Sequence, residues 1–109
     1  MASPVRWLEH DRNGNEICLS HERWEHIIAP ENHPEMAAYE GQLRDTIRLS
    51  RRKQDVVNPQ KYVYTASFDD LVEDNTHVVA IVLFRFREDE TRRPMPNNYI
   101  VTAYQKEIG

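Results

Sequence analysis

Cysteine is nearly absent, glycine is scarce and no apolar run is long, and each shortage removes a class of protein. One cysteine in 109 residues excludes an internal disulfide framework and the Cys/His pattern of structural zinc sites. Cys18, inside the apolar stretch ICL, reads as a small core side chain, because a reactive thiol needs an exposed, electropositive setting. Three glycines leave no phosphate-cradling loop, dinucleotide fingerprint or nucleophile elbow, which disfavours nucleotide cofactor chemistry. The longest apolar run, VVAIVLF at residues 78 to 84, falls short of the roughly 20 residues that a spanning helix needs. It is the size of a strand and rich in β-branched residues. MASPVRW lacks the basic start and apolar core of a secretory leader, so the expected location is cytoplasmic, with no membrane partner.

Positive charge is also short. The net charge of −4 argues against a protein that coats nucleic acid nonspecifically. The basic residues are nevertheless clustered, at Arg48, Arg51, Arg52 and Lys53 and again at Arg85, Arg87, Arg92 and Arg93. Such blocks are either solvated edges or parts of one local basic site that meet in space.

What is present divides the chain into a helical half and a strand half. VRWLE at 5–9 and EICL at 16–19 flank HDRNGN, where Asn13-Gly14 favours a tight turn, so a short hairpin is predicted. Ser20 is a natural N-cap for a helix from His21 to about Ala29, which Pro30 ends. Asn32 or His33 can cap a second helix over 34–49, with Pro34 in its first turn, Glu35 complementing the dipole, and Met36, Tyr39, Leu43 and Ile47 as the apolar stripe. KYVYTAS at 61–67, THVVAIVLFRF at 76–86 and NYIVTAY at 98–104 read as an antiparallel meander with the middle strand buried. EDETRRPMPNN, from 88 to 98, reads as a long exposed connection. The chain is one domain over 1–109, of the α+β class: two N-terminal helices packed on an antiparallel sheet, preceded by a short β-hairpin.

The stretch SHERWEHIIAPENHPEM holds three of the five histidines. His21 and His26 are five apart, about 140° around a helix axis, so they do not form the metalloprotease pair, whose histidines are four apart. His26 and His33 with Glu35 remain as a minor metal reading, and no cofactor is expected. As titrating groups, His26 and His33 suit base and acid roles near neutral pH, since free imidazole titrates near 6.5. The competing reading makes one a helix-surface residue and the other a cap. In YIVTAYQ, Thr102 and Tyr104 share a strand face, and Ile100 is expected beside them. With Arg51, Arg52 and Lys53, these hydroxyls match the needs of a metal-independent ribonuclease: a base for the 2′-OH, an acid for the leaving 5′-oxygen and donors for the phosphate.

The order ICLSHERWEHIIAPENHPEM, KYVYT, HVVAIVLF, YIVTAYQKEI resembles small phage and bacterial proteins of the barnase–EndoU–colicin–RelE (BECR) nuclease-like superfamily, over about residues 16–108. ERWEHI, HPEM and VTAY, in that order, carry the resemblance. It implies helices on a sheet of about four antiparallel strands and RNA cleavage leaving a 2′,3′-cyclic phosphate. The matching polar residues are Arg23, His26, His33, Glu35, Thr102 and Tyr104. On this reading His26, His33, Thr102 and Tyr104 are catalytic, while Arg23, Glu35, Arg51, Arg52 and Lys53 bind substrate. The expected partner is RNA, with an antitoxin or another protein as a further partner. Asn32 replaces a basic residue found in many relatives, and RLSRRKQDVV is longer and more basic than their usual turn. The alternative is a noncatalytic RNA- or protein-binding module of the same fold.

Overall fold

The computed structural model describes residues 4–108. β1 (Val5–His10) and β2 (Glu16–Ser20) form the expected hairpin, with Gly14 at φ +80° in its turn, a dihedral that glycine adopts without steric cost. Helix α1 (His21–Ile28) follows, then a 3-10 turn (Pro34–Ala38), α2 (Glu40–Leu49), β3 (Arg52–Gln54), β4 (Lys61–Ser67), β5 (His77–Leu83), β6 (Phe86–Glu88), β7 (Pro94–Pro96) and β8 (Asn98–Lys106). No helix among the described residues is long and apolar enough to cross a membrane.

The expected two N-terminal helices on an antiparallel sheet of about four strands are not what the chain forms. It builds a six-stranded mixed sheet in the order β1-β2-β8-β5-β4-β3, plus a separate β6–β7 ribbon. The hairpin does not merely precede the sheet. It joins the sheet through a parallel pairing of Ile17 with Asn98 and Cys18 with Tyr99. That contact spans most of the chain, and hydrophobic periodicity carries no signal of strand direction. The ribbon replaces the exposed connection expected over 88–98. Asp89 Oδ1 accepts from the backbone N–H of Thr91 at 2.8 Å and of Arg93 at 2.9 Å, and this clip closes the turn. The meander itself forms, with β5 central between β4 and β8.

Helix α1 starts where Ser20 Oγ accepts from the Arg23 N–H at 3.1 Å, and it buries Trp24 and Ile27. The single second helix predicted over 34–49 is split. Tyr39, at φ −125° and ψ 27°, leaves helical geometry between the 3-10 turn and α2. Glu40 then starts α2 in an ion pair with Arg6 and accepts from Trp7 Nε1 at 2.9 Å, which ties α2 to β1. Met36, Leu43 and Ile47 are fully buried as the apolar stripe requires.

Residues paired directly across strands share a sheet face. Tyr64, Ala80 and Ala103 lie on the face covered by both helices, here called the helix face. Thr65 and Tyr104 flank Val79 on the other, and Val63 and Thr102 flank Ile81 one rung along. This open face is half-exposed at Thr65, Ile81, Thr102 and Tyr104.

The two edges of the sheet meet on the helix face. Asp11, just after β1, is buried and accepts from the Tyr64 hydroxyl of β4 at 2.6 Å and from the backbone N–H groups of Asn13 and Asn15 at 2.9 and 2.8 Å. The Arg52 guanidinium of β3 stands 3.9 Å from the same carboxylate and lies over the rings of Tyr62, at 4.3 Å, and Phe84, at 5.0 Å. Burial alone would push the Asp11 carboxyl up, but the Tyr64, Asn15 and Asn13 donors outweigh it and hold it below its usual range. Burial, followed by the adjacent Asp11 carboxylate, drives the Tyr64 phenol well above its usual range.

Tyr64→Phe should cost about 1.5–3 kcal/mol of stability, the usual worth of a hydrogen bond to a charged group, measured by urea unfolding at pH 7. Because the folded Asp11 value is lowered, its contribution is complete above the ordinary carboxylate value of about 3.9 and disappears as pH falls below it. The difference between wild type and Tyr64→Phe should narrow over that same acid interval.

Candidate functional site

Strand β8 organises the open face. Val82 pairs with Ile100 and Ile81 with Thr102, so Val101 is an extra residue, a bulge. A bulge moves every later side chain to the opposite face from strict alternation. Ile100 therefore enters the core, 1% exposed, while Thr102 and Tyr104 lie together on the open face. The expectation that Ile100 shares their side is corrected by this one inserted residue.

His33 reaches the same place from the other half of the chain. Its ring centroid is 5.5 Å from that of Tyr104, tilted by 32°, and its Nδ1 is 3.6 Å from Glu35 Oε1. The geometry follows from how α1 ends. The His33 N–H donates to the Ile27 carbonyl at 2.9 Å, and the Asn32 side-chain amide donates to the His26 carbonyl at 2.8 Å. Both satisfy carbonyls that a helix end leaves open. Asn32, which departs from the basic residue of the resembling proteins, thus serves as a helix cap. His33 is itself not a side-chain cap for the following turn, so its imidazole is left to Tyr104 and Glu35.

Arg23 and His26, three apart and so on one side of α1, line a cleft of about 620 Å³ on the same sheet face. Leu8 and Cys18, which pair across the hairpin, form part of it with Tyr99, the ribbon adds Arg87 and Pro96, and Asn97 follows from the link to β8. The side chain of Asn98 donates to the Glu16 carbonyl at 3.1 Å, which holds the start of β8 against the hairpin. His33 lies outside this cleft. The two histidines therefore occupy two stations along β8, His26 where Tyr99 and Ile100 line the cleft and His33 at Tyr104.

The basic block 51–53 is divided by strand alternation. Arg51 is exposed before β3, Lys53 pairs with Val63 on the open face, and Arg52 pairs with Tyr64 on the helix face. Arg52 is engaged by two aromatic rings and the vicinity of Asp11, so it serves the fold and is not presented to a ligand on the open face. Among the described residues, no group of three or more His, Cys, Asp or Glu side chains is placed to hold a metal ion.

Asp11, Tyr64 and Asn97 were not singled out by sequence reasoning, and Arg87 was named there only within its basic cluster. Asp11 carries a local signal, a carboxylate two residues before Asn13-Gly14, but its bond to Tyr64 has none. Cys18 is not the core residue expected. It is half-exposed on the open face, and its thiol is raised by burial first and by Glu16 second, with Arg87 acting in the opposite direction. Compared with family models, curated proteins and solved structures, the chain gives no match. The resemblance to BECR nucleases rests on the motifs themselves.

Cys18 should react with a disulfide reagent such as DTNB more slowly at pH 8 than an ordinary thiol of pKa about 8.5. Arg87→Ala should slow it further, since the guanidinium favours the thiolate. An unfolded-rate reaction in the native protein would contradict the burial that sets this value.

Proposed function

We propose that the protein is a metal-independent endoribonuclease of the BECR type, with its reaction centre on the open face around β8. One observation supports this above others: the His33 imidazole, backed by Glu35, stands against Tyr104, the phenol that shares a face with Thr102. A residue from HPEM and one from VTAY thus meet across 71 positions, as a bipartite site requires.

His33 takes the proton of the ribose 2′-OH, with Glu35 Oε1 standing 3.6 Å from its Nδ1. The 2′-oxygen attacks phosphorus, the bond from phosphorus to the 5′-oxygen breaks, and a 2′,3′-cyclic phosphate forms. The departing 5′-oxygen takes a proton from solvent, because His26 and Arg23 stand at the other station of β8, where they face the bound strand and not the bond that breaks. Thr102 and Tyr104 donate to the ribose and the phosphoryl oxygens as negative charge builds. Lys53 and Arg51 remain as more distant cations. The net charge of −4 and the engagement of Arg52 favour a second reading, a noncatalytic RNA- or protein-binding module. In a toxin or defence setting, an antitoxin would be the protein partner.

Incubation with single-stranded RNA in EDTA should give fragments with 2′,3′-cyclic phosphate ends. His33→Ala should slow cleavage by about 10²–10⁴-fold, the usual weight of a general base, and Tyr104→Phe by less. Cleavage by His33→Ala at the wild-type rate would remove the assignment. A shifted RNA with no product would establish the binding module instead.

A further inference from the structure

The cleft beside Cys18 has no role in bond breaking, yet it has the size and chemistry of a ligand seat. Its volume of about 620 Å³ lies within the range of about 300–1,000 Å³ typical of small-ligand pockets. Leu8, Cys18 and Pro96 supply apolar surface, Asn97 supplies an amide, and arginines approach from two separate elements, Arg23 from α1 and Arg87 from the ribbon. Glu16 and Glu22 also line it. Two cations balanced by two carboxylates do not suit a chain of phosphates. They suit one phosphate attached to a flat, partly apolar group with hydrogen-bonding edges.

We infer that this cleft seats one unpaired nucleotide of a single-stranded RNA, a few nucleotides from the cleavage point. The inference rests on the ribonuclease reading for its direction, because the cleft and the His33–Tyr104 contact share β8. Ile100 and Tyr104 pair with Val82 and Val79, three strand steps apart, or about 10 Å at roughly 3.3 Å per residue, a span that a short extended RNA segment crosses. The base enters against Leu8, Cys18 and Pro96, and its phosphate lies between Arg23 and Arg87. A duplex is excluded, since its bases are stacked and paired and cannot enter a cleft of one-nucleotide size.

The ribbon makes the seat testable without disturbing the core. Arg87 is exposed, so Arg87→Ala keeps the fold, and Cys18→Phe fills the cleft from its floor. The probe is a fluorescent 2′-O-methyl RNA decamer, which binds but cannot be cleaved because its attacking hydroxyl is blocked. By anisotropy, the single strand should bind at least about tenfold more tightly than the same sequence as a duplex. Arg87→Ala should weaken it and reduce the slope of log K against log salt by about 0.7, one phosphate contact on a single strand. Cys18→Phe, with its melting temperature checked, should also weaken it. Equal affinity for the duplex, or wild-type affinity in Arg87→Ala, overturns the seat. Binding that depends on the cleft in a protein that cleaves no RNA would keep the seat and reject the catalytic reading. Cleavage with affinity unchanged in both cleft variants would do the reverse.

Discussion

The buried hydrogen bond from Tyr64 to Asp11 is the contact on which the arrangement of the sheet depends. Asp11 follows the first strand in sequence and Tyr64 lies near the opposite edge of a six-stranded sheet. Their bond ties the tip of the first hairpin to β4 on the face that carries the core residues Leu43, Ile47 and Met36. A buried carboxylate is costly unless its oxygens are satisfied. Here the Asn13 and Asn15 backbone donors, the Asn15 side-chain amide and the Tyr64 hydroxyl meet that demand, while Arg52 Nη1 stands 3.9 Å away, buried and without a hydrogen bond of its own. Arg52 in turn lies over Tyr62 and Phe84, within the distance at which cation–π attraction operates. A residue from the most basic stretch is thereby withdrawn from ligand binding and placed in the interior framework.

Both helices pack on one face of the sheet and leave the other partly uncovered, and the candidate chemistry lies there. Both of its stations depend on β8. The bulge at Val101 sends Ile100 into the core and turns Thr102 and Tyr104 outward, so a single extra residue decides whether a threonine and a tyrosine face solvent or hydrocarbon. The end of α1 does the corresponding work for the histidine. Asn32 and the His33 backbone close the helix, and the His33 side chain is carried to the edge of β8, where Tyr104 waits. Helix capping and strand bulging, two local devices, together assemble a site from residues 71 positions apart.

Much of the local structure was legible in the residues. Asn13-Gly14 announced the hairpin, Ser20 the start of α1, Pro30 its end, and the alternating or continuous apolar runs the three main strands. The second helix was only partly legible, because its apolar stripe continues through Tyr39 while the backbone does not. The ribbon was hidden by its prolines and charges: three-residue strands held by an Asp89 turn carry too few apolar residues to show a period. β3 was hidden for the same reason, and its basic residues looked like one patch although alternation sends Arg52 and Lys53 to opposite faces.

The sequence by itself determined the local choices: where the first hairpin turn, the N-cap of α1 and the three main strands lie, that His33 and the VTAY strand are chemically notable, and that disulfides and phosphate-binding glycine loops are excluded. These follow from dihedral preference and short-range periodicity, which act over a few residues. Tertiary structure alone decided the parallel pairing of β2 with β8, the side of the sheet to which Ile100 points, the use of Arg52 in the interior and the meeting of His33 with Tyr104. Each of those depends on register between segments far apart in the chain, and register is set by packing a whole face at once.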